Sequence, residues 1–144
     1  MNGTRITAIR FATQRYRSQA NQHGFGSNLL GRIDTVHDDE AIRQALLLLL
    51  STRPGERVMR PEYGCDLEVL LFQPVNGATA GMAIHYVRRA ITLWEPRVEI
   101  LSLDAYPCID RDGCLEVALT YRVRATGHVD SLALNLDMAG SRVL

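Results

Sequence analysis

The sequence predicts an α+β domain: two main helices packed on a small antiparallel sheet, formed by a C-terminal hairpin plus a third strand. Three observations carry that expectation. Ile42, Ala45, Leu46 and Leu49 recur at helical spacing, and so do Ala80, Ile84, Val87, Ile91 and Trp94. Leu115, Val117, Leu119, Tyr121 and Val123 alternate with Glu116, Ala118, Thr120, Arg122 and Arg124, the period of a half-buried strand. The helical patterns all precede the strand patterns, which is α+β order rather than the alternation of a parallel α/β sheet.

The elements follow in order. Asp38, Asp39 and Glu40 put a capping residue and negative charge where a helix N-terminus favours them. Leu47, Leu48 and Leu50 widen the stripe until the second half of that helix is apolar nearly all round, so it should be buried or covered by a partner. Ser51-Thr52-Arg53-Pro54-Gly55 stops it. Asp66 to Phe72 reads as one short helical piece, and a second long helix follows over 78–94 with Trp94 as a core anchor. Pro96 ends that helix, because the residue before a proline is pushed out of the α region.

Val98 to Ala105 carries apolar residues in both phases, which predicts a strand covered on both faces. The turn signal Asp110-Arg111-Asp112-Gly113 makes it a hairpin with strand 114–124. Leu132, Leu134 and Leu136 mark a shorter third strand, 131–137. Nothing after Asp137 looks long enough to cover an edge. The sheet should therefore leave two edges open, and a docking edge is expected along 115–123 or 131–137.

Composition narrows the functional classes. A chain of 144 residues, 47% apolar and 22% charged, is one globular domain's worth of sequence. Its longest apolar run, Ala45–Leu50, is about a third of the ~20 residues a membrane-spanning helix needs, so no membrane insertion is expected. Net charge is zero, and nothing in the balance points to nucleic acid. All 16 basic residues are Arg, whose planar fork suits interfaces, although a GC-rich genome produces the same bias. Arg5, Arg10, Arg15, Arg17 and Arg32 stand in a stretch with no acid. Residues 1–24 read as an Arg-rich arm, mobile or docked on a partner, more readily than as a transit peptide. Asn21 to Ser27 looks like the linker that ends it, with the main domain over 25–144.

Candidate chemistry is thin. Glu56, Glu62, Asp66 and Glu68 each have an Arg or open loop nearby in sequence, which favours ionisation over the retained proton of a glycosidase acid. His23, His37, His85 and His128 are isolated, without metal-binding spacing. Three cysteines, Cys65, Cys108 and Cys114, do not form a zinc pattern. Cys108 and Cys114 flank the turn and could face each other across it, but small buried thiols are the expected state. No catalytic, cofactor or metal site is expected.

Thr52-Arg53-Pro54-Gly55-Glu56-Arg57, then Met59-Arg60-Pro61-Glu62-Tyr63-Gly64, then Leu71-Phe72-Gln73-Pro74, with Glu95-Pro96-Arg97 at the end of the second helix, form a combined pattern. It resembles that of the tail-lysozyme-like baseplate wedge family of contractile phage tails, type VI secretion baseplates and extracellular contractile injection systems. The resemblance covers about residues 24–138; the arm and the tail from Met138 to Leu144 do not map onto it. It implies a structural role with no reaction and no cofactor. The subunit would join the helical core bundle of larger wedge subunits to the sheath and template the first sheath ring by strand exchange. Tube or hub proteins would be further neighbours in a sixfold baseplate, assembled in the bacterial cytoplasm. Glu95, Pro96 and Arg97 would contact the core bundle. Arg57, Arg60, Glu62 and Tyr63 would shape the loop that holds the helices to the sheet and, secondarily, dock partners. Two alternatives stand beside this: a cell-wall hydrolase, as the family's historical name suggests, and a regulatory adaptor of the same fold.

Overall fold

The computed structural model describes residues 7–9, 35–139 and 142–143. The Arg-rich arm and its linker lie outside the described residues apart from Thr7–Ile9. Two compact units divide the chain, Met1–Ala45 and Leu46–Leu144. In the first, β1 (Thr7–Ile9) pairs antiparallel with β2 (Thr35–His37), Ala8 standing opposite Val36. Helix α1 (Asp38–Ser51) starts directly after β2 and runs on into the second unit.

The second unit holds the rest of the expected architecture. The last turns of α1 bury Leu46, Leu49 and Leu50, while Leu47 and Leu48 are half-buried. A 3-10 helix, Asp66–Leu70, buries Leu67 and Leu70. It is shorter than the helical piece expected to reach Phe72, and its apolar end is not all core. Val69 is exposed, and so is Phe72 at 77%. Phe72 sits at φ 66°, held there as its N–H donates to the Met138 carbonyl at 2.8 Å.

Helix α2 (Gly77–Trp94) begins at Asn76, whose side chain accepts from the Thr79 N–H at 2.9 Å. Its buried stripe is Thr79, Ala83, Val87, Ala90 and Ile91. Val87 and Ile91 of the expected stripe are buried, whereas Ala80 and Ile84 are half-buried and Thr79, Ala83 and Ala90 fill out the buried side. Trp94 is half-buried rather than a core anchor.

β3 (Val98–Pro107), β4 (Cys114–Val123) and β5 (Val129–Asp137) form the antiparallel sheet, with β4 between the other two. Leu115, Val117, Leu119 and Tyr121 oppose Leu136, Leu134, Leu132 and Asp130. These inward rungs are the centre of the core, and the Tyr121 hydroxyl donates to Asp130 at 3.0 Å.

Two expectations about the sheet are corrected. β3 is not covered on both faces: only Val98 and Leu103 are buried along it. The register shifts between Ile100 and Ser102, so Leu101 is the extra residue of a β-bulge. The bulge swaps phase, carrying Val98 and Ile100 on one side of it and Leu103 and Ala105 on the other to the same inward face. The tail after Asp137 does cover an edge in part. A two-residue strand, β6 (Arg142–Val143), pairs with Leu136 and Asn135, leaving the rest of β5's outer edge open among the described residues.

The expectation of buried thiols also fails at the turn. Cys108 and Cys114 form a disulfide, their Cα atoms 5.3 Å apart, inside the range a bridge tolerates. The hairpin sets that distance: Cys114 opens β4, and the Cys108 N–H donates to its carbonyl at 2.9 Å. Cys65 is buried and outside the bridge.

Candidate docking site

The loop between α1 and the 3-10 helix is fixed by close backbone approach. The Cys65 N–H donates to the Thr52 carbonyl at 3.0 Å, and the Gly55 N–H to the Pro61 carbonyl at 2.6 Å. These two bonds cinch the loop at its base and middle. Gly64 lies between them at φ 139°, and a Cβ there would stand 2.6 Å from the Thr52 oxygen. No side chain fits at that point. Arg53 ties the loop to the 3-10 helix through an ion pair with Glu68 at 3.0 Å, and its own N–H donates to the Glu56 carboxylate. Val58 and Met59 form the tip and are almost fully exposed.

The far side of the loop meets the end of α2. Tyr63 packs edge-on against Trp94 with ring centroids 5.5 Å apart, and the Arg57 guanidinium lies 4.8 Å above the Tyr63 ring. Both are favourable geometries for an electron-rich ring. Burial holds the Tyr63 hydroxyl above its usual pKa, Arg57 and Arg97 pull it down, and Glu95 pushes it up.

Beyond Trp94 the Glu95-Pro96-Arg97 turn is a closed unit. Arg97 donates from Nε and Nη2 to the two Glu95 carboxylate oxygens, the second at 2.7 Å. Glu95 is only 5% exposed, so this charge is buried and paired rather than displayed. That pair, led by its hydrogen bond, raises the Arg97 pKa. Arg124, just past β4, clamps the turn from behind: its Nε donates to the Pro96 carbonyl at 3.1 Å and its N–H to the Arg97 carbonyl at 2.9 Å.

Of the seven residues singled out from sequence, Arg57, Tyr63, Glu95 and Arg97 therefore share one cluster, with Pro96 between the last two. Arg60 is exposed on the loop, contributing backbone turns to Arg57 and Tyr63. Glu62 lies on a shallow groove between the loop and α2, with Pro61, Asp66, Arg89, Leu93 and Trp94. Two members of the cluster escape sequence reasoning. Trp94 looks like a core residue from its helical spacing. Arg124 carries no local signal, because its partners Pro96 and Arg97 belong to the far end of the hairpin. Among the described residues no group of His, Cys, Asp or Glu is placed to hold a metal.

Known proteins share sequence and fold with this chain. Residues 36–128 match the family described as baseplate wedge protein gp25. The chain is 34% identical over 83 residues to the baseplate wedge protein gp25 of Enterobacteria phage T4, spanning 58% of this chain and 62% of that protein, less than two thirds of its length. It is 35% identical over 100 residues to baseplate protein W of Escherichia phage P2, covering 69% of this chain and 85% of the phage protein. A solved structure from Geobacter sulfurreducens, named as a tail lysozyme, is similar at TM-score 0.64 and 37% identity, over 69% of this chain and 89% of that one. On the residues that match and the share of the chain they cover, this chain belongs to the baseplate wedge protein gp25 family.

Proposed function

We propose that the chain is a structural wedge subunit in the baseplate of a contractile, phage tail-like apparatus. One face joins it to the larger wedge subunits and the sheet edge receives an arm of the sheath protein. The observation that carries this reading is the convergence of the two matched motifs on one face. The loop and the Glu95-Pro96-Arg97 turn are separated in sequence, yet Arg57, Tyr63, Trp94 and the Glu95–Arg97 pair stand together. A face that carries the half-buried Tyr63 and Trp94 rings and the exposed Arg57, backed by the internally paired Glu95–Arg97 turn, is suited to a protein partner. Tube or hub proteins and the sixfold arrangement belong to the same reading, as does assembly in the bacterial cytoplasm.

The test is recovery of the larger wedge subunits on the tagged chain. Arg57→Ala and Arg60→Ala remove exposed charges, Arg57 giving up only its contact with the half-buried Tyr63 ring. Each should leave the Tm within a few degrees while lowering recovery several-fold. Full recovery with both variants would remove this face from the interface.

A hydrolase reading is favoured by one observation, the name of the Geobacter sulfurreducens relative. The carboxylates speak against it. Glu56 accepts from the Arg53 N–H, Glu68 pairs with the Arg53 guanidinium and Glu95 with Arg97, so three of the nearby acids are already engaged within the chain. Purified protein incubated with peptidoglycan should release nothing above a buffer blank. Release that disappears on Glu62→Gln would make the chain an enzyme.

A further inference from the structure

We propose that the Cys108–Cys114 disulfide is a redox-sensitive clasp that sets how much of β3 is ordered, exchanging with small-molecule thiols and disulfides of the glutathione class. The inference does not depend on the wedge reading. It starts from where the bridge sits. β3 is an edge strand, paired only with β4 among the described residues. Its last rung is Pro107 opposite Leu115, next to the bond from the Cys108 N–H to the Cys114 carbonyl, so the N–H that proline lacks falls on the open side of β3. The rung before it, Tyr106 opposite Glu116, adds a side-chain hydrogen bond of 3.2 Å that is exposed to water.

Past Pro107 the turn has little to hold it. Ile109 is 97% exposed, and Asp110, Arg111 and Asp112 are exposed as well. Two backbone bonds hold it: Cys108 N–H to the Cys114 carbonyl, and Met138 N–H to the Gly113 carbonyl, each 2.9 Å. The second of these secures the β4 side of the turn, not the β3 side. The disulfide is thus the one covalent tie on the end of β3 among the described residues, at a strand end whose outer side has no partner among them.

Access is asymmetric. Cys114 is buried, whereas Cys108 is half-buried at the strand end. A small thiolate attacks the Cys108 sulfur, the Cys108–Cys114 bond breaks, and Cys114 leaves as a thiolate that takes up a proton. A second small thiolate then attacks the mixed disulfide, releasing Cys108 as a thiol and the small molecule as its own disulfide. Two thiols are oxidised for each protein disulfide reduced, and the reverse reaction recloses the clasp with the small-molecule disulfide as oxidant. Oxidised, β3 keeps its full length to Pro107. Reduced, its end from Ala105 onward frays, and the edge it offers shortens.

The experiment equilibrates the intact chain in buffers of varied reduced-to-oxidised glutathione ratio. Amide hydrogen exchange is followed by peptide mass spectrometry, and free thiols are counted by alkylation. Reduction should free two alkylatable thiols, at 108 and 114, and speed exchange in 104–108 at least tenfold while 116–122 and 131–136 keep their protection. Cys65, buried beside Gly64, should stay unlabelled until the chain is unfolded. Cys108→Ser should show the fast pattern in both buffers. Unchanged exchange on reduction would overturn the clasp. Labelling of Cys65 together with the other two would also overturn it, since the bridge would then be holding the whole fold rather than one strand end. If Cys114→Ser and Cys108→Ser both retain slow exchange in 104–108, the bridge is dispensable and the proposal fails.

Discussion

Arg97 presents half of its side chain to solvent, while the carboxylate it grips is almost fully buried, at 46% and 7% exposure respectively. Removing the guanidinium would strand Glu95 without its counter-charge, and stranded charges are the costly outcome of breaking such a pair. Because Arg97 is itself partly exposed, water can reach the vacated side and reduce the penalty. Arg97→Ala should therefore destabilise the fold by about 1–3 kcal/mol. Adding Glu95→Gln should recover part of that loss. Urea denaturation of the two single variants and the double variant measures it; independent, additive losses would mean the pair is not coupled. The motif itself was plain in the sequence, but its burial was not. A charged residue beside a helix stop ordinarily faces water, whereas this turn is closed in by Tyr63 and Arg124, neither of them local.

Among the elements, β4 was legible and β3 was not, for the same physical reason. From Leu115 on, β4 alternates without interruption, so its pattern maps directly onto one buried and one half-buried face. In β3 one extra residue, Leu101, shifts the phase, and a strand with a bulge reads like a strand buried twice. The loop from Arg53 to Gly64 is visibly shaped by its prolines and glycines, but which glycine matters depends on a contact. At Gly55, φ 86°, a Cβ would meet nothing within 4 Å, whereas one at Gly64 would press on the Thr52–Pro54 backbone. Gly55→Ala should cost only the left-handed penalty, about 1–2 kcal/mol. Gly64→Ala adds a backbone clash that no rotamer relieves and should cost about 3 kcal/mol or more. Thermal or urea unfolding ranks them, and equal losses would show that the loop can part from Thr52 without consequence.

At the scale of the whole molecule, strand order limits where the proposed sheath arm could add. β4 has neighbours on both sides, so the expectation of a docking edge along 115–123 gives way to a different strand. β5 has an outer side, but β6 takes Asn135 and Leu136 on it. β3 offers ten residues from Val98 to Pro107 with one side unpaired among the described residues. Its bulge at Leu101 and the Glu99–Arg122 ion pair at 2.6 Å roughen that rail and place charge along it. Those are the devices that keep an edge strand from pairing indiscriminately while leaving it open to a matched partner. The proposed strand exchange should therefore run along β3. Proline placed between Ser102 and Tyr106, at an N–H directed away from β4, removes a donor from the arm's ladder without breaking the sheet's own. Such variants should keep the circular dichroism of the wild type and still join the baseplate, yet fail to nucleate sheath. Proline at 117 or 119 should instead unfold the chain, because β4 uses both of its sides. Sheath growth on baseplates carrying a folded β3 proline variant would rule out this edge. A block produced by proline at 131 or 133 alone would move the docking site to β5.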